Sequence, residues 1–146
     1  MSDFIDEKPP TSFWVFSGAA LFWNLIGLAI YYGQVVMSPE TAASLTEAQQ
    51  EFFANTPVWA TSAHGLAVTA GVLGSLLLLF RKAWATPVFA LSLLGILAQD
   101  LHAFVLSDAL GIFGGANAVI LPGIVLIVAI GLVWYSNSSK RKGWLS

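Results

Sequence analysis

Four stretches of this chain, residues 13–36, 57–80, 87–107 and 116–136, hold a single charged side chain between them, Asp100. A helix needs roughly 20 apolar residues to cross the hydrocarbon core of a bilayer, and each stretch is long enough. A soluble domain of ordinary composition is about 25% charged. Here the share is 10%, against 57% hydrophobic, over 146 residues. That is too little polar surface to coat a globule in water. The expected fold is therefore all-α: one transmembrane domain, residues 1–146, built as a membrane four-helix bundle.

Proline and glycine mark where the helices start. Thr56-Pro57 and Thr86-Pro87 each offer a capping hydroxyl before a proline at the first helical position, where its missing N–H costs nothing. Gly114-Gly115 breaks the chain ahead of the fourth stretch. The first stretch does not read as a cleaved signal peptide, because its flank MSDFIDEKPP is acidic and its apolar run is too long. In the first connection, TEAQQEFF (46–53) has capping-box spacing from Thr46 to Gln49 and predicts a short amphipathic helix on the outer membrane surface.

The basic residues set the topology. With four spans, Lys8, Arg81, Lys82, Lys140, Arg141 and Lys142 all fall on one side. The other side carries Glu40, Glu47, Glu51 and Asp108 and no Lys or Arg. The positive-inside rule then predicts that both termini are cytoplasmic. Tyr31, Tyr32 and Trp59 are expected near the outer interface, and Trp14, Trp84 and Trp134 near the inner one.

Small residues recur where helices should touch. Ala63, Ala67, Gly71 and Ser75 repeat every four positions in the second span, and Ala70 with Gly74 forms a parallel pair. Such spacing lets backbones approach closely in lipid, where Leu offers no advantage over acyl chains. An intramolecular seam is expected rather than an oligomer face. TPVWATSAHGLAV (56–68) also echoes TPVFALSLLGILA (86–98), as inverted transporter repeats do, but convergence on the same cap chemistry is the preferred explanation.

The polar stretch LAQDLHAF (97–104) is the most functional-looking feature. Asp100 lies about 12 Å, and His64 about 10 Å, below the outer ends of their helices at 1.5 Å per residue. On a regular helix Asp100 and His102 point roughly 200° apart, whereas Gln99 and His102 are about 60° apart. The expected intramembrane cluster is thus Asp100 with His64, or His64 with Gln99 and His102, with Asn24 joining either. Asp100 is expected to point into the bundle and reach His64 or Asn24, directly or through water. A buried carboxylate in a membrane is a functional candidate by default. Polar glue between helices is the favoured reading; a proton or cation site is the next, and a metal held by both histidines and Asp100 the least favoured.

The segments FWNLIGLA, QVVMSPETAASL and GVLGSLLLLFRKAWATPVFALSLLGILAQ, with the tail KGWL, resemble a family of small four-span proteins of the bacterial inner membrane, often labelled "sugar transporter". The resemblance covers nearly the whole chain and implies that membrane as its location. It assigns no functional residue.

The remaining chemistry is exclusionary. With no cysteine, thiolate catalysis and disulfides are ruled out. No phosphate-binding loop, nucleophile elbow or paired-carboxylate motif occurs, so an enzyme, a cofactor and a metal site are not expected. Ser17, Ser62, Ser75 and Ser92 read as small packing residues. No basic cluster suggests nucleic acid. Two roles follow: an accessory or structural subunit that packs in a larger membrane complex or with itself, which is favoured, or a small oligomeric transporter or channel.

Overall fold

The computed structural model describes residues 7–146, so Asp3 and Asp6 of the acidic flank lie outside it. The fold is an all-α four-helix bundle. Its membrane-length helices are α1 (Thr11–Val35), α4 (Val58–Leu79), α5 (Ala85–Asp100, prolonged by a π-helical turn over Leu101–Leu106) and α7 (Ala116–Arg141). Short helices α2 (Pro39–Ala43), α3 (Glu47–Asn55) and α6 (Ala109–Phe113) cover one end.

The starts of α4 and α5 differ from expectation. Thr56 closes α3 by donating from Oγ1 to the Phe52 carbonyl at 2.7 Å, and Pro57 itself is the cap of α4. α5 begins before Thr86-Pro87, with Trp84 as cap. Proline is tolerated throughout a first turn, because none of the first four N–H groups has a helical acceptor; it marks that turn rather than one position within it. α7 runs five residues past the expected end at 136, placing Lys140 and Arg141 in its last turn, where cations complement the helix dipole.

Space follows chain order. α1 lies beside α4, α4 beside α5, and α5 beside α7. The α4–α5 seam is the closest approach. A Cβ on Gly95 would sit 2.7 Å from the Ala63 carbonyl oxygen and 3.0 Å from the Ala67 nitrogen. Ser92 Oγ donates to the Ala67 carbonyl at 2.6 Å. The other side of α4 meets α1, where Gly71 abuts the Asn24 amide. The Ala63–Ala67–Gly71–Ser75 ladder is therefore internal, facing α5 and α1. The echoing segments 56–68 and 86–98 lie on the two antiparallel helices of this seam.

The end of the bundle that carries both termini is filled. Phe13, Leu78, Ala85, Phe89, Leu132 and Leu145 form one buried cluster, capped by Trp144 edge-on to Phe13 at 5.8 Å. The tail is strapped down by backbone bonds. Ser146 N–H donates to the Arg81 carbonyl, and Ala83 N–H to that of Ser146, each at 2.9 Å. Arg81, in the left-handed region at φ 59°, donates from Nε to the Trp144 carbonyl at 2.9 Å and from its guanidinium to the Glu7 carbonyl at 3.1 Å. The three basic segments thus meet at one end of the bundle.

Candidate functional site

α1 and α7 are the two edges of the helical row. They touch near the end that carries the termini, where Tyr135 stacks on Phe16 with ring centres 3.9 Å apart. Further out they leave a cavity of about 320 Å³ between them, with α4 and α5 as its floor. Trp23, Gly27, Ile30 and Gln34 line it from α1, one helical stripe at three- and four-residue spacing. Pro122, Val125 and Ala129 line it from α7. Pro122 has no N–H for the Ala118 carbonyl, which interrupts the ladder of α7 beside the cavity.

The polar residues gather toward the half of the bundle away from the termini. His64, Gln99, Asp100 and Asn24 all line this cavity. Asn24 is anchored, donating from Nδ2 to the Ala20 carbonyl at 2.8 Å and to Ser75 Oγ at 3.2 Å. His64 lies edge-on against Tyr31, ring centres 4.9 Å apart. Asp100 and Gln99 are half-buried and make no hydrogen bond to any described residue. The expected direct bond from Asp100 to His64 or Asn24 is therefore not formed; the three share a cavity, and Asn24 is already committed to its own partners.

His102 does not belong to this group. It is buried at the end covered by the short helices, its ring 5.9 Å from Phe52 and 5.7 Å from Trp59, with Nε2 3.2 Å from Ser107 Oγ. It lines a separate small cavity with Glu51 and Asn55. Joining it to Gln99 and His64 assumed a regular α-helix through residue 102. The π-helical turn starts at Leu101 and changes the rotation per residue at that point. A metal held by both histidines and Asp100 has no geometric basis, and among the described residues no three such ligands converge.

The loop helices cover His102. The expected capping box is present: Thr46 Oγ1 accepts from Gln49 N–H and Gln49 Oε1 from Thr46 N–H, both at 3.2 Å. Phe52 and Phe53 then turn toward Phe113 of α6, ring centres 5.2 Å and 5.8 Å away. α6 was not anticipated, although Asp108, which accepts from Gly111 N–H at 3.1 Å, and the following Gly114 are ordinary start and stop signals.

Trp23 and Gln34 were likewise missed. Their stripe on α1 was visible in the sequence, but apolar neighbours all round that helix hid which face was internal. Comparison with known families, with curated proteins and with solved structures finds no match for this chain.

Proposed function

We propose that this chain, like the small four-span proteins it resembles, resides in the bacterial inner membrane with both termini cytoplasmic. It acts there, without catalysing a reaction, as an accessory subunit of a larger membrane assembly. One observation carries the reading: the polar cavity lies between α1 and α7, the two edges of the helical row, and its lining residues Phe89 and Leu132 belong to the buried cluster that also holds Phe13 and Leu145. Such a shape holds something beside the bundle and conducts nothing through it. Large apolar side chains on the two edge helices, among them Phe22 at 67% and Ile127 at 71% exposure, leave both flanks available to a neighbour.

Purification of the tagged chain from native membranes in a mild detergent tests this. A stoichiometric membrane partner or a discrete homo-oligomer is expected. A strictly monomeric chain without companions would refute it. The second reading, a small oligomeric transporter, is favoured by the grouping of Asp100, His64 and Gln99. It requires the inner plug to open, and solute or proton flux in proteoliposomes is its measurement.

A further inference from the structure

We infer that the cavity between α1 and α7 is a binding site for an uncharged, single-chain amphiphile whose head group carries hydroxyls, entering sideways from the lipid. This goes beyond the accessory role and does not depend on it.

The walls dictate the chemistry. Val125, Ala129 and Ile30 supply an apolar channel for a chain, while His64, Gln99 and Asp100 converge on the outer part. Asp100 and Gln99 have no hydrogen-bonding partner among the described residues, and unmet polar groups at membrane depth cost several kcal/mol each. A hydroxyl suits this set. It can donate to the carboxylate of Asp100 and accept from the Gln99 amide or the His64 ring. A phosphate does not suit it, because Asp100 would oppose the negative charge and about 10 Å of helix separates the site from the outer surface. The Tyr31–His64 pair adds ring faces beside the head position.

Size decides against a protein segment. One turn of helix, about 10 Å across and 5.4 Å tall, displaces about 400 Å³. The cavity holds about 320 Å³, which lies at the small-ligand end of the range for binding sites. Entry between the edge helices α1 and α7 would let a chain reach the cavity without leaving the bilayer.

The test uses the full chain in nanodiscs, titrated with a decyl-tailed benzoquinol, with monododecyl glycerol and with dodecyl phosphate. Saturable binding of one hydroxyl-bearing probe per chain is expected, at least tenfold tighter than dodecyl phosphate. The benzoquinol binding better than the glycerol would assign the natural head group to an aromatic ring, and the reverse order to an aliphatic diol. Asp100→Leu should weaken binding at least tenfold, Asp100→Asn far less, and Val125→Trp should abolish it by filling the cavity. Ile30→Trp serves as a second block from the α1 side should Val125→Trp fail to fold, with circular dichroism melts as the control. Absence of saturable binding, equal affinity for dodecyl phosphate, or binding unchanged in a folded blocking variant would overturn the proposal. A co-purified partner would survive any of these results.

Discussion

Ser92 Oγ donates a 2.6 Å hydrogen bond to the Ala67 carbonyl oxygen, fastening α5 to α4 near the middle of both helices. Only small neighbours allow it: the contact sits beside Gly95, whose missing side chain brings the two backbones together. The seam therefore depends on absent atoms as much as on the bond, as expected in lipid, where close packing replaces the hydrophobic drive.

Gly95→Ala places a methyl 2.7 Å from the Ala63 carbonyl oxygen, against backbone that cannot yield cheaply. A net loss of about 1–3 kcal/mol is expected, despite the better helix propensity of alanine. Gly123→Ala meets nothing within 4 Å and should be neutral or stabilising. Thermal melts in detergent compare the two. Equal melting temperatures would show that the seam tolerates a wider spacing.

Gly71→Leu drives a side chain into the Asn24 amide and should lower the melting point further than Gly95→Ala, or prevent assembly of α1 on α4. Retained wild-type stability would mean that this face of α4 looks at lipid.

Asn24 and Ser75 bind each other across α1 and α4 at 3.2 Å. A double-mutant cycle with Asn24→Ala and Ser75→Ala should return a coupling of about 0.6 kcal/mol, the usual size for such bonds inside membranes. A coupling of zero would leave the Ala20 carbonyl as the only structural partner of Asn24.

Asp100→Asn should fold and melt as the wild type does, since the carboxylate has no partner among the described residues to lose. Loss of folding would instead reveal Asp100 as glue between helices.

Reporter fusions at Ser2 and at Ser146 should both signal from the cytoplasm, given the gathering of Lys8, Arg81, Lys82, Lys140, Arg141 and Lys142. A periplasmic signal from either end is incompatible with the proposed topology.

The four spans and the α4 ladder were legible because both are properties of one segment at a time: length of apolar run, and spacing of small residues. The site was legible only in part. His64, Asn24, Gln99 and Asp100 stood out as polar groups in apolar surroundings, and depth arithmetic put His64 and Asp100 at one level. The position of His102 was lost to the π-helical turn, which no residue type in LHAFVL announces. The cavity itself is a property of two edge helices distant in sequence, α1 and α7, and neither carries a pattern that states how far apart they stand.

The coincidence of chain order and spatial order bears on biogenesis. Each helix leaving the insertion machinery finds its neighbour already in the bilayer, and none has to thread between two earlier arrivals. α4 and α5, joined by the short connection 80–84, can enter as a hairpin and dock on a waiting α1 before α7 is made. Loop closures stay short, which favours rapid assembly. The gap between α1 and α7 is then the one place where the row of helices is left unclosed when the last of them settles.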